Sequence, residues 1–230
     1  MRRPVAVILA AGKGERLGGP KALLAWPAVK GAPAGAPDER PLAIAHAEAR
    51  LAADCERVLV VVRKPVFGVL LRYVRPGIDL LVSNAPDDFG PAGSLAFAAA
   101  RIGDAEELVV TPVDVPPARA ETVARLLARL RAGGDPPPLA VRPRHERRGG
   151  HPVVMRAEAL ALYRVSPVPA PPVRAGATPA GPPPPPLREH LRALGAQSVD
   201  EDVDDASVLL DLNTPVDVIR ATGAPPRFIA

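Results

Sequence analysis

The stretch VAVILAAGKGERLGGPKALL, residues 5–24, decides how the rest of the chain is read. Five apolar residues, Val5 to Leu9, run without alternation into four glycines (Gly12, Gly14, Gly18, Gly19) and three long cations (Lys13, Arg16, Lys21). A short β-branched run without alternation suits a strand buried on both faces. A strand that ends in glycines and basic residues is an anion site, because glycine lets backbone N–H groups converge on phosphate oxygens while the cations neutralise them.

Outward from this loop the pattern repeats. Val58 to Val62, Leu80 to Val82, Leu108 to Thr111 and Leu139 to Val141 read as further strands. Leu42 to Ala53, Ser94 to Ile102 and Ala118 to Ala132 carry apolar residues at helical spacing. The last is clearest, with Val123, Leu126, Leu127 and Leu130 on one face. Strand and helix in alternation predict an α/β fold: a doubly wound, mostly parallel sheet in three α/β/α layers. Leu187 to Leu194 reads as helix, Val208 to Leu210 as strand, and Pro215 to Thr222 as a short helix capped by Thr214.

The 230 residues are 47% hydrophobic, enough for a good core, and are expected to form a single domain over 1–230. Two regions interrupt it. Trp26 to Arg40 reads as a loop insertion, and 166–186, SPVPAPPVRAGATPAGPPPPP, as a proline-rich low-complexity segment that is extended or disordered. The net charge of +4 comes from arginines scattered among acids, which is not a nucleic-acid footprint. No stretch approaches roughly 18 uninterrupted apolar residues, so no membrane partner is expected. Cys55 is the only cysteine, which excludes an internal disulfide and fits a reducing compartment; with no signal-peptide core before the loop, the expected location is cytoplasmic.

Three phosphate motifs compete for the loop. A P-loop needs a lysine directly after its last glycine and then a hydroxyl. Here Pro20 separates Gly19 from Lys21, and Ala22 stands at the hydroxyl position. A dinucleotide fingerprint needs G-x-G-x-x-G opening into a helix. Here three residues separate Gly14 from Gly18, and the next strand ends in Arg63 and Lys64 instead of an acid. An arginine there suits the extra phosphate of NADP, so that reading stays open.

The third motif is L-A-A-G-x-G-x-R-[ML]-G-x-x-K, which Leu9, Ala10, Ala11, Gly12, Lys13, Gly14, Arg16, Leu17, Gly18 and Lys21 match in order. On those residues the chain resembles the MobA-like NTP transferases, nucleotidyltransferases with the nucleotide-diphospho-sugar transferase fold. The resemblance implies that the loop and Lys21 bind a nucleoside triphosphate, with Arg16 and Lys21 neutralising its phosphates. It also implies Mg²⁺ as cofactor, held by a carboxylate at a strand's carboxyl end. In PVDVP, Asp114 lies just past the strand 107–111 and resembles the family's metal ligand, acting in catalysis with Lys21 and Arg16.

Further motifs resemble the branch acting on the molybdenum cofactor. Asn84, Gly90, Gly93 and Ser94 match its N-x(4,6)-G-x(2,3)-S-L segment, implying nucleotide binding; Ser94 is also expected to cap the following helix. Gly150-His151-Pro152 resembles its G-H-P, implying that His151 lies near the acceptor. VLLDLNTPVDV, residues 208–218, resembles the family's closing motif, with Asn213 or else Asp211 completing the metal site and Asp217 in the first helical turn.

The expected partners are a nucleoside triphosphate and a phosphorylated small-molecule acceptor. Ala10-Ala11-Gly12 looks more like the cytidylyl enzymes, which makes CTP the expected donor and the molybdenum cofactor the expected acceptor. A sugar phosphate or other phosphorylated alcohol is the alternative acceptor. A non-catalytic nucleotide-binding protein that recruits a partner through its proline tract is the alternative class.

Overall fold

A computed structural model describes residues 2–28, 38–164 and 183–230. In chain order the strands are β1 (Val5–Leu9), β2 (Ala25–Pro27), β3 (Glu39–Pro41), β4 (Arg57–Val62), β5 (Ile78–Val82), β6 (Glu107–Pro112), β7 (Ala140–His145), β8 (Arg148–Gly149), β9 (Val153–Arg156) and β10 (Ser198–Asp202). The α-helices are α1 (Leu42–Ala52), α2 (Lys64–Leu71), α3 (Gly90–Ala99), α4 (Ala120–Arg131), α5 (Ala161–Arg164), α6 (Leu187–Ala193) and α7 (Pro215–Thr222).

The main sheet has the order β10-β7-β9-β6-β1-β4-β5, with β8 paired to β7. Every residue of β1 is buried, as its uninterrupted apolar run requires. It lies parallel to β4 on one side and β6 on the other, with Leu9 opposite Val61 and Pro112. The chain therefore winds from β1 outward through β4 and β5, then returns to β6 on the far side. That reversal beside β1 opens a crevice at the carboxyl ends of the strands.

The period of two along β1 separates the core into two layers. Ala6 and Ile8 face α1 and α4, whereas Val5, Val7 and Leu9 face α3 and α5. This is the expected three-layer α/β/α architecture. The α4 stripe falls as its spacing predicts: Val123, Leu126, Leu127 and Leu130 are all buried. Helix α3 is buried nearly throughout from Ala92 to Ala99, consistent with a helix apolar on every side.

Several expectations need correction. Val208 to Leu210 is not a strand; Ala206–Leu209 forms a 3-10 turn, started by the Asp205 side chain accepting from the Ser207 N–H. Ser94 does not cap α3, because the helix begins at Gly90 with Pro91 in its first turn. The ends of the Trp26 to Arg40 insertion are not loop: β2 and β3 pair antiparallel across it, Trp26 opposite Arg40. Residues 29–37 of that insertion and 166–182 of the proline tract lie outside the described residues.

The sheet is also longer than the apolar runs suggest. β9 lies antiparallel to both β6 and β7, and β10 lies parallel to β7 at the edge. Strand β10, SVDED, carries no apolar signal because its acids pair across the strands: Arg142 with Asp200 (2.9 Å) and Arg144 with Asp202 (2.6 Å). Charge on an edge strand also blocks pairing with other chains. No helix among the described residues is long and apolar enough to cross a membrane.

Candidate active site

The site begins where β1 ends. The Ala10 N–H donates to Val61 O at 2.8 Å, extending the sheet by one residue before the chain turns into the glycines. Gly14 adopts a left-handed conformation, φ 69°, and a Cβ there would stand 1.9 Å from Gly19 O. Only glycine fits that close approach. The Gly14 carbonyl in turn accepts from Leu17 N (2.9 Å) and Gly19 N (3.3 Å), closing a single 3-10 turn over Glu15–Leu17 with Leu17 buried beneath. No α-helix directly follows the glycines, so the helix required by a dinucleotide fingerprint is absent here. Gly12 differs from Gly14: its Cβ would meet nothing within 4 Å. It faces open space and lines the cleft beside the loop.

From the other side Phe228 covers Gly19, whose Cβ would lie 2.9 Å from the ring. The terminal segment is held there by Ala25 N donating to Arg227 O (2.7 Å) and Ile229 N donating to Leu23 O (2.8 Å). The glycine loop is thus backed by packing that its own sequence does not announce.

A cleft of about 530 Å³ opens between this loop and the ends of β4 and β6. Leu9, Ala11, Gly12, Lys13, Gly14, Arg16 and Lys21 line it, with Gly90 and Ser94 from the α3 side and Asp114 and Asn213 at its floor. The expected phosphate-binding residues are therefore gathered in one place. Ala10 is buried behind the loop. Asn84 is exposed beyond β5, outside the cleft lining. Gly93 faces inward: a Cβ would lie 2.6 Å from that of Phe89. Its smallness serves helix packing.

At the floor, the Lys21 ammonium donates to Asn213 Oδ1 at 2.7 Å and to Asp114 Oδ2 at 3.3 Å. The Lys21 side chain is 12% exposed and that of Asp114 37%. The loop carrying Asp114 is fixed at several points. Leu212 N donates to Asp114 O (2.7 Å), which ties the loop to the segment carrying Asn213. From α1, the His46 Nε2–H donates to Val115 O (2.8 Å), and Arg50 donates to Ala118 O. Burial, assisted by the Arg50 charge, pushes the His46 imidazole down to about 3, so it is a neutral donor. Burial likewise lowers Arg50, to about 10, which leaves it charged at neutral pH. Neither α1 residue stands out in sequence, since each occupies a core position of the helix.

Asn213 is steadied from its own side. Thr214 and Asp217 form a reciprocal capping box at the start of α7: Asp217 N donates to Thr214 Oγ1, and Thr214 N donates to Asp217 Oδ2 at 2.8 Å. Asp211 is exposed and outside the cleft lining, so of the two alternatives Asn213 is the one that meets Asp114 and Lys21.

His151 lies outside the lining but within electrostatic reach of the floor. Burial lowers its pKa, opposed by the charges of Asp114 and Asp211 and helped by Arg142. The His151 backbone N–H donates to Val208 O (3.0 Å), and the preceding Gly150 has no room for a Cβ, which would stand 2.1 Å from the same oxygen. The G-H-P segment therefore seats on the 3-10 turn before Asp211.

At the mouth, Lys13 Nζ lies 2.7 Å from Asp87 Oδ2, and Arg63 pairs with Asp87 Oδ1 while its Nε donates to Ala11 O at 3.3 Å. Sequence reasoning singles out Arg63 only as a contact for the extra phosphate of NADP, and Asp87 not at all. The one signal available is the basic end of β4, which bears on the site only because β4 lies next to β1. Arg16 lines the cleft with no ion pair among the described residues.

The donor chemistry at the floor suits a small hard cation. A carboxylate oxygen and an amide oxygen converge on one positive centre, here the Lys21 ammonium. No group of three or more His, Cys, Asp or Glu among the described residues forms a metal cage. Magnesium needs none, since it takes one or two protein oxygens and completes its shell with water and substrate phosphates.

Comparison with known proteins bears on the family and the fold. The model of the MobA-like NTP transferase domain matches residues 6–166. A curated relative, the molybdenum cofactor guanylyltransferase of Xanthomonas euvesicatoria pv. vesicatoria (strain 85-10), is 31% identical over 129 residues. That match covers 56% of this chain and 56% of the relative, a little over half of each. Among solved structures, Rv0371c of Mycobacterium tuberculosis H37Rv in complex with manganese has a TM-score of 0.66 at 18% identity, covering 96% of this chain and 98% of that one. The 2-C-methyl-D-erythritol 4-phosphate cytidylyltransferase of Thermus thermophilus has a TM-score of 0.57 at 20% identity, covering 96% and 98%. At these identities the two structures speak for the fold.

Proposed function

The chain belongs to the MobA-like NTP transferase family of nucleotidyltransferases, and from that premise we propose that it is a magnesium-dependent nucleotidyltransferase that uses CTP to modify a phosphorylated acceptor, the molybdenum cofactor. The observation that carries this reading is the Lys21 ammonium held between Asp114 and Asn213, at the floor of a cleft roofed by the Gly12–Gly14 loop.

A phosphate oxygen of the acceptor attacks the α-phosphorus of the triphosphate in line, and pyrophosphate leaves. Little covalent chemistry falls to the protein, so positioning and electrostatics dominate. Backbone groups from Ala11 to Gly14 cradle the polyphosphate. Arg16 and Lys21 face the charge that develops on the α-phosphoryl oxygens and on the leaving pyrophosphate. Asp114 and Asn213 would hold Mg²⁺, which when bound would supply positive charge to offset that of the phosphates. Manganese in the similar M. tuberculosis protein accords with a divalent ion in this fold. The side of the cleft facing His151 and Asp211 receives the acceptor, and the neutral imidazole adds no charge of its own there.

The donor base rests on the resemblance of Ala10-Ala11-Gly12 to cytidylyl enzymes, whereas the curated relative is named as a guanylyl enzyme. Pyrophosphate release separates the two: the protein is incubated with each of the four common triphosphates, Mg²⁺, and either molybdenum cofactor or a panel of sugar and polyol phosphates. Release with CTP and molybdenum cofactor, abolished by a chelator, is the expected result. Preference for GTP corrects the base, and preference for a polyol phosphate corrects the acceptor. No release with any pair overturns the proposal.

A further inference from the structure

Three elements meet at the cleft mouth on a single carboxylate. Lys13 comes from the glycine loop, Arg63 from the end of β4 and Asp87 from the 3-10 turn Asp87–Phe89 before α3. Each carboxylate oxygen serves one cation: Oδ2 faces Lys13 at 2.7 Å and Oδ1 faces Arg63. Arg63 is anchored independently of Asp87, because its Nε also donates to Ala11 O at 3.3 Å. All three side chains are accessible, at 61% for Lys13, 32% for Arg63 and 55% for Asp87, and all three line the cleft.

An ammonium and an anchored guanidinium that close on two oxygens of one anion form a site shaped for a phosphate group, since arginine pairs with phosphate as readily as with carboxylate. We propose that Lys13 and Arg63 form a phosphate-oxyanion subsite for the polyphosphate, and that the Asp87 carboxylate fills this subsite until a polyphosphate displaces it. The inference rests on the preceding reading, that a triphosphate binds at this loop, and adds Arg63 and Asp87 to its machinery. Both cations hold Asp87 below the ordinary carboxylate range, Lys13 by its hydrogen bond and Arg63 by its charge, so it is ionised at neutral pH. A carboxylate left in place would repel incoming phosphate oxygens while occupying the donors they need. Exchange is easy because the cluster is exposed and water screens the broken pairs.

The sign of one substitution decides the matter. If Asp87 is a placeholder, Asp87→Asn frees both cations and binding tightens. If Asp87 instead orients Lys13 and Arg63, the same substitution weakens binding. Affinity for inorganic pyrophosphate with Mg²⁺ is measured by calorimetry for wild type, Asp87→Asn, Arg63→Gln and the double variant, each checked for folding by circular dichroism.

The expected result is tighter binding by Asp87→Asn of about threefold, the scale of one exposed ion pair. That gain vanishes when Arg63 is also replaced and shrinks as salt is raised. Unchanged or weaker pyrophosphate binding by Asp87→Asn overturns the placeholder, and CTP turnover by the wild type then leaves the nucleotidyltransferase reading standing. If the wild type binds neither pyrophosphate nor CTP, the reading of the loop falls and the subsite falls with it.

Discussion

The cleft holds two clusters built from similar parts, a lysine and an aspartate with one further side chain, and they differ in almost every physical respect. At the floor, Lys21, its side chain only 12% exposed, meets Asn213 and an Asp114 whose loop is tied down by Leu212, His46 and Arg50. At the mouth, Lys13 and Arg63 both meet Asp87, and the Lys13 side chain is 61% exposed. Enclosure makes the floor preorganised: its dipoles and charges are fixed before substrate arrives, and low dielectric strengthens them. Exposure makes the mouth exchangeable, since water and salt weaken pairs that a ligand can replace. The same residue types therefore suit chemistry in one place and capture in the other.

The largest test of this contrast is Lys21→Ala. Removing a preorganised cation aimed at developing charge costs about two to four kcal/mol of barrier, so kcat falls steeply while circular dichroism and thermal unfolding report a folded protein. Near-wild-type turnover would remove Lys21, and the floor with it, from the mechanism. Next in size is the magnesium dependence. Asp114→Asn and Asn213→Ala are expected to raise the Mg²⁺ concentration for half-maximal rate by about tenfold or more, the scale of a lost ligand or its support. Asp211→Asn is expected to leave it within about twofold on that scale. The reverse ranking would move the second ligand to Asp211.

A third test concerns what keeps the floor rigid. The His46 pKa is lowered from 6.5 to about 3 in the folded state, so the unfolded chain takes up that proton first as pH falls. The His46 contribution to stability is complete above pH 6.5, is lost progressively toward pH 3, and changes by at most about 1.4 kcal/mol per pH unit. The stability of the wild type, measured by urea unfolding, should fall more steeply with decreasing pH over that window than that of His46→Gln. Equal slopes would mean that His46 is not buried neutral against Val115. The smallest effect belongs to the mouth: Lys13→Gln is expected to raise KM for the triphosphate about threefold at low salt and less at high salt, with kcat unchanged. A large fall in kcat would place Lys13 with the floor and erase the distinction.

Most of the floor is legible in the linear sequence because its parts are local. Glycine spacing announces the tight loop, a strand's carboxyl end announces Asp114, and Thr214-Pro215 with Asp217 announces the start of α7. What cannot be read there is partnership. Whether Asn213 or Asp211 joins Asp114 depends on how the closing segment lies against the Asp114 loop, where Leu212 N donates to Asp114 O, and the 3-10 turn Ala206–Leu209 before it reads as a strand. The pairing of Arg63 with Asp87 is hidden for the same reason: each residue alone looks like a loop charge. Gly93 misleads because a glycine in a polar loop suggests ligand approach, while here the neighbouring Phe89 is what excludes a side chain.

The sequence by itself determined the α/β alternation, the tight glycine loop and the cap of the last helix, since these follow from backbone dihedrals, periodicity and contacts within a few residues. Tertiary structure alone decided the antiparallel run of β9 between β6 and β7, the covering of Gly19 by Phe228, and which acid each cation meets. Lys21 and Asn213 are 192 residues apart, and their hydrogen bond exists because strand order brings both to one end of the sheet. Local signals fix the conformation of each segment; charge pairing across a cleft is settled by where the sheet sets those segments down.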